Sequence, residues 1–324
     1  MPSCSRSWLL VLGCAASIAA AQSPERYPDR PVRFVVPQAA GSATDNVARL
    51  VSPGIAKQLG QPVVVDNRPG GALTIGIDAV AKSEPDGYTI GMGPVGALAI
   101  TRHMVAKLPY DIERDLQPVA LITTGYMLLA ASPKAPFTTV RELIAYAKAH
   151  PGQLYNASSS NGSPGHVSGE LFKYMTGTDI VHVPYKGGAP AIADLIAGNV
   201  QLMFESTNSI APHVKAGRVR ALAVTGAQRA KSLPEVPTMM EAGVPGYEVT
   251  AWTGVIAPAG LPRPILDRLN AAVNAAINEP TVKARLEQLG SEGGGGTPEE
   301  YAELIRRDSA KWAEVIRRSG ARID

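Results

Sequence analysis

The stretch VRFVVPQAAGSATDNVARLVSPGIAKQL, Val32 to Leu59, decides the fold. Val32–Val36 is an apolar, β-branched run closed by Pro37, the signature of a short buried strand. From Thr44 onward, Val47, Ala48, Val51, Ile55 and Leu59 recur at close to helical spacing until Gly60 stops the pattern. A strand running straight into a helix is a βα unit, and the same rhythm continues outward. Val63–Val65 reads as a second strand, followed by the turn Asn67-Arg68-Pro69-Gly70-Gly71 and an apolar helix to about Lys82. Asp86-Gly87 is a turn, and Tyr88–Gly91 a third strand. Further strands are expected near Met127–Ala131, Leu154–Asn156, Ile180–Val183, Gln201–Phe204 and Val219–Val224. Helices are expected at Thr139–Ala149, Pro164–Met175 and Ala189–Ala197. Such repeats predict an α/β fold with parallel sheets covered by helices. Near the C-terminus, Thr297-Pro298-Glu299-Glu300 supplies an N-cap, a first-turn proline and a capping-box glutamate. Tyr301, Leu304, Ile305, Trp312, Val315 and Ile316 then form one apolar stripe.

The chain has 324 residues, more than one hydrophobic core usually holds. Two α/β domains around a cleft are expected, with strand ends and the helix starts after them facing the ligand. No Ser/Gly linker separates the halves, so the domains are expected to exchange strands. A content of 45% hydrophobic and 18% charged residues is ordinary for a soluble globular chain. Its 31 basic and 28 acidic residues are spread without a basic block, and aromatics make up only 5%. Neither a phosphate-backbone footprint nor stacking platforms are visible, so no nucleic-acid partner is expected. The composition also excludes a fibre, a coiled coil, a polytopic membrane protein and a disulfide scaffold.

Residues 1–7 carry one charge, Arg6, and an apolar run from Trp8 to Ala20 follows. The small residues Ala19-Ala20-Ala21 then precede Gln22, so residues 1–21 read as a secretory signal peptide cut after Ala21. The run is too short to span a bilayer. Lipoprotein anchoring at Cys14 is ranked below this cut, because few strongly apolar residues precede Gly13-Cys14. Both cysteines, Cys4 and Cys14, fall in this segment. The mature chain would have no thiol nucleophile and no cysteine-ligated metal, and would need no oxidative folding.

Two loops draw attention. Pro37–Asp45 joins the first strand to its helix and is rich in small residues, so its backbone can approach a ligand closely. A helix start offers unpaired N–H groups and a positive dipole end. Ser42 and Thr44 add hydroxyls, and Asp45 is expected to balance the helix start instead of touching an anion. Ser158–His166 repeats the design, with Ser163 as N-cap and Pro164 as first helical residue. From the residues alone, an ordinary capped turn explains the first loop equally well, and a partly buried structural role suits His166 better than a binding one.

Enzyme signatures mostly fail. Asn161-Gly162-Ser163-Pro164-Gly165 resembles a nucleophile elbow without its first glycine. The five histidines show no metal-binding spacing. Gly91–Gly96 matches GxGxxG but follows the third strand, carries Pro94 where an N–H is needed, and has no clear acidic strand end about twenty residues on.

Taken together, YPDRPVRFVVP (27–37), LGQPVVV (59–65), NRPG (67–70), PDGYT (85–89) and KLPYD (107–111) resemble the Bug-type solute receptors of tripartite tricarboxylate transporters. GELF (169–172), HVPYKG (182–187), KAGRVRALAV (215–224), PEVPT (234–238) and Gly294–Glu300 extend the resemblance, in order, over the whole mature chain. The resemblance implies a two-domain periplasmic binding protein, of Venus-flytrap, type II-like form with two crossover connections. Its parts would be residues 1–21 as signal peptide, 22–122 and 250–324 as domain I, and 123–249 as domain II. It implies a periplasmic, monomeric receptor that captures a small organic carboxylate and hands it to membrane permease subunits, with no catalysis, metal or cofactor. Carried over by motif, the ligand residues are Gln38, Gly41, Ser42, Ala43 and Thr44 in the first loop. Asn161, Gly162, Ser163 and His166 follow in the second, and Glu205 in Phe204–Ser206. The family usually has an aromatic where this chain has Gln38, Pro for Ala40, Gly for Ser42, and often Asp for Glu205; hydroxyl residues give way to Pro94 and Val95.

From these residues, one ligand carboxylate is expected at the Gly41–Thr44 and Gly162–Ser163 amides. Glu205 would then either repel a second carboxylate at the far end or cap the following helix. Pro94 and Val95 would favour a less highly charged ligand than citrate. The rival readings are an exported serine hydrolase using Ser163 and His166, or a ligand sensor for a membrane partner.

Overall fold

The computed structural model describes residues 27–319. The signal-peptide reading, with Arg6, both cysteines and the cut at Ala21, lies outside the described residues. Val32–Val36 forms β1 and Ala43–Leu59 forms α1. Ser42 is the N-cap, its Oγ accepting the Asp45 N–H at 3.2 Å. Gly60 ends the helix at φ 75°, a left-handed cap that costs glycine nothing. β2 (Val63–Asn67), α2 (Thr74–Ala81) and β3 (Thr89–Pro94) follow, and β1 lies between β2 and β3, parallel to both. A π-turn at Gly96–Ile100 and short helices α3 (Thr101–Met104) and α4 (Ile112–Asp115) lead to β4.

β4 runs from Leu116 to Ala131 and changes partners along its length. Residues 116–126 pair antiparallel with β9 (Thr250–Pro258), while Met127–Ala131 lie between β7 (Leu202–Ser206) and β8 (Arg220–Val224), antiparallel to both. β5 (Tyr155–Ser158) pairs in parallel with β7 and with β6 (Val181–Pro184). Helices α5 (Val140–Ala149), α6 (Pro164–Thr176), α7 (Gly188–Ala197) and α8 (Thr207–Lys215) alternate with these strands. The chain closes with α9 (Arg263–Asn278), α10 (Pro280–Gln288), β10 (Gly293–Gly295) and α11 (Pro298–Ser319).

The parallel expectation therefore holds for β1–β3 and β5–β7, and fails where β4, β8 and β9 run antiparallel. The short strand expected at Met127–Ala131 is the end of a 16-residue one. Its first part was hidden because Pro118 and Thr123-Thr124-Gly125 interrupt the apolar pattern. The register shifts between Pro118 and Ala120 and again between Leu121 and Thr123 absorb those residues as bulges.

Burial divides into three clusters. One gathers Phe34, Val51, Ile55, Leu269 and Val273 between the first sheet and α1 and α9. There a Cβ on Gly54 would stand 2.8 Å from the Ala276 Cβ, so only glycine lets these helices approach so closely. A second packs Leu128, Ile192, Leu195 and Met203. The third runs along α11 and joins both sheets through Leu129, Phe172, Phe204, Trp252 and Trp312. α11 carries the expected capping box: Thr297 N–H donates to Glu300 Oε2 at 2.8 Å, and Glu300 N–H to Thr297 Oγ1 at 3.1 Å. Its stripe is buried at Tyr301, Ile305, Trp312, Val315 and Ile316. No helix among the described residues is long and apolar enough to cross a membrane.

Candidate functional site

A cleft of about 640 Å³ opens where β1, β3, β5 and β7 end and where β4 and β9 cross between the sheets. That volume suits a small organic molecule. Three helix N-termini reach it: Ala43 and Thr44 of α1, Pro164 and Gly165 of α6, and Thr207 and Asn208 of α8. Their dipole ends make the cleft electropositive without a cation. Among the lining residues, Glu205 is the only Asp, Glu, Lys, Arg or His.

Of the residues expected to bind, Gln38, Ala43, Thr44, Asn161, Gly162, Ser163 and Glu205 line the cleft. Gly41, Ser42 and His166 stand behind it and shape the loops. Gly41 has φ 81° and donates its N–H to Asp45 Oδ2 at 2.8 Å. Asp45, 1% exposed, also accepts from Asn67 Nδ2 at 2.9 Å and Arg49 Nε at 3.0 Å. Burial would raise its carboxyl, but the bonds from Arg49, Gly41 and Asn67 outweigh burial and hold it below the usual range. Asn67 Nδ2 further bonds Gln38 O at 3.0 Å, so one buried carboxylate and one amide pin the whole first loop.

The second loop is pinned by a histidine. Gly162 N–H donates to His166 Nδ1 at 3.1 Å, and the His166 ring stacks on His182 with centroids 3.8 Å apart. His182 Nε2 lies 2.7 Å from Ser158 Oγ. Burial pushes His166 down to about 3 and His182 down to about 4, so both rings are neutral at pH 7. Ser163 Oγ accepts the His166 N–H at 3.2 Å as the N-cap.

These bonds shift the expectation for the anion-binding amides. Gly41 and Gly162 give their N–H groups to Asp45 and His166, and those of Ser42 and Ser163 go to Ala39 O and Ser160 O. The N–H groups of Ala43, Thr44 and Gly165 have no acceptor among the described residues. Glu205 departs from a simple cap: Oε1 accepts the Ser206 N–H at 2.8 Å, one residue before α8, and not the second or third helical amide. Pro94 and Val95 do line one wall.

Sequence reading missed several lining residues. Leu73 and Ala72 reach the cleft with φ 79° and 52°, a strained pair that the Gly70-Gly71 run hinted at only weakly. Tyr126 and Thr253 arrive on the crossing strands. Trp252 lines the cleft and also donates to buried Asp308 on α11 at 2.6 Å. Gln38 Oε1 and Thr253 Oγ1 are buried without a partner.

Gly165 tests how tightly the site is built. A Cβ there would overlap the Phe204 carbonyl oxygen of β7. Gly→Ala inside a helix usually gains about 0.5–1 kcal/mol. Here Gly165→Ala is expected to lose about 1–3 kcal/mol, because α6 cannot retreat from β7 without repacking. Urea unfolding of the variant checks the sign.

Fold and cleft together define a two-domain solute-binding protein. The tripartite tricarboxylate transporter family receptor model matches residues 47–321, and the chain belongs to that family. Protein BugT of Bordetella pertussis is 36% identical over 319 residues, covering 97% of this chain and 98% of that protein. The solved structure of R. palustris Rpa4515 with adipate is 40% identical, with a TM-score of 0.81 over 92% of this chain and 100% of that one. MatC (Rpa3494) of Rhodopseudomonas palustris with bound malate is 35% identical, with a TM-score of 0.77 over 90% and 100%.

Proposed function

We propose that this receptor is exported, with residues 1–21 removed, and captures a small organic carboxylate for the permease subunits of a tripartite tricarboxylate-type transporter. It acts as a monomer, without catalysis, metal or cofactor. The observation that carries the reading is the cleft itself, where three helix N-termini converge and no cationic side chain lines the wall. Adipate in Rpa4515 and malate in MatC are consistent ligands in similar proteins. We take 22–122 and 250–324 as domain I and 123–249 as domain II. The hinges are Leu121–Thr124 and Thr250–Gly254, since β4 bulges within the first and changes partners shortly after it, between Tyr126 and Met127. Ligand bound to both domains would favour the closed state.

The hydrolase reading loses support from the geometry. Ser163 Oγ serves as a helix cap, and His166 Nδ1 is occupied by the Gly162 N–H, so no base is aimed at the hydroxyl. Thermal-shift screening against a carboxylate library, followed by calorimetry, tests the proposal. A ligand at a hundred times its Kd should stabilise the protein by about 2.7 kcal/mol. Ester turnover abolished by Ser163→Ala would overturn the receptor reading.

A further inference from the structure

The charge pattern of the cleft says more than that it takes an anion. Glu205 is the only acidic or basic side chain in its lining. Its carboxylate has no cation within ion-pair distance among the described residues. The side chain is nevertheless held in place: Oε1 accepts from Ser206 N–H at 2.8 Å and Ser206 Oγ at 3.0 Å. Ser206 Oγ in turn lies 2.8 Å from Ser209 Oγ. Oε2 faces Gly188, where a Cβ would come within 3.0 Å, so the absence of a side chain at that position leaves the oxygen its room.

A second group points the same way. Gln38 Oε1, on the opposite sheet, is a buried acceptor with no partner. The cleft thus holds a carboxylate and a buried carbonyl oxygen as acceptors, the backbone amides at the helix starts as donors, and the unpartnered Thr253 hydroxyl, which can serve as either. A ligand that satisfies both needs one anionic group and at least one N–H or O–H donor.

We propose that Glu205 sets the ligand class: a monocarboxylate whose far end carries an ammonium, primary amide or hydroxyl donor, with a second ionised carboxylate disfavoured. This rests on the receptor reading and narrows it. A second ligand carboxylate would face Glu205 in a closing cleft with no cation to separate them, and like-charge juxtaposition is an efficient means of rejection. A donor at the same place replaces the water that Glu205 loses on closure.

The test is calorimetry with α,ω-dicarboxylates of four to eight carbons and their ω-amino and ω-amide counterparts, on wild type and Glu205→Gln. Gln keeps the carbonyl that accepts from Ser206, so the fold is expected to survive. On wild type, the best amino or amide compound should bind at least tenfold more tightly than the dicarboxylate of equal length. In Glu205→Gln that ratio should shrink at least tenfold, with the dicarboxylate gaining affinity. Equal or tighter dicarboxylate binding by wild type, or a ratio unchanged in the variant, overturns the selector and leaves the receptor standing. Should the variant not fold, the wild-type ratio decides. No binding by any of these compounds overturns both readings.

Discussion

Asp45→Ala is expected to cost about 2–4 kcal/mol of stability and at least a hundredfold in ligand affinity. The substitution removes the acceptor for Gly41 N–H, Asn67 Nδ2 and Arg49 Nε, leaving the part-buried Gly41 N–H without a partner and Asn67 Nδ2 with Gln38 O alone. Freed from Asp45, Asn67 no longer ties Gln38 to the start of α1, and the Ala43 and Thr44 amides lose their fixed aim. Arg49→Ala is the control. Its side chain is 52% exposed, so loss of that ion pair alone should cost no more than about 1 kcal/mol. Denaturant unfolding and calorimetry on both variants separate the pin from the charge. Because Asp45 titrates below its unfolded value, its contribution is complete above about pH 4 and is lost only on stronger acidification.

Acidification acts earlier at the second loop. His166 and His182 titrate near 3 and 4 in the folded state and near 6.5 when unfolded. Between pH 6.5 and about 4 the unfolded chain therefore binds protons that the native one refuses, and stability falls as pH falls. Each histidine contributes a slope of up to about 1.4 kcal/mol per pH unit, so the pair is expected to cost up to about 5 kcal/mol between pH 7 and 4.5. Glu170, with its Oε1 4.0 Å from His166 Nε2, could favour the imidazolium, but Lys173 engages that carboxylate at 3.0 Å. His182→Gln should flatten the slope by about one proton while keeping a polar partner for Ser158. Ligand affinity should hold over that range and weaken only as the pH approaches 3, where a protonated Nδ1 no longer accepts the Gly162 N–H. Urea titrations at stepped pH read the slope directly. An unchanged slope in His182→Gln would show that the stacked pair is not the sensor.

What could be read from the sequence was what local physics dictates. The βα rhythm, the caps at Ser163 and Thr297, and the stripe on α11 each depend on residues within a turn or two of one another. The loops that reach the cleft followed from strand-to-helix order, and Glu205 from the end of one strand. Tertiary structure decided the rest. That β4 is one long strand shared by two sheets depends on β9, more than a hundred residues away, which supplies partners across the Thr123-Thr124-Gly125 break. Which amides remain open for a ligand depends on whether Asp45 and His166 turn inward, and Asn67 and His182, from other strands, help decide that. Trp252 is oriented by Asp308, 56 residues on, across the α11 core. No local period or motif encodes such contacts, because their energy exists only once distant segments are brought together.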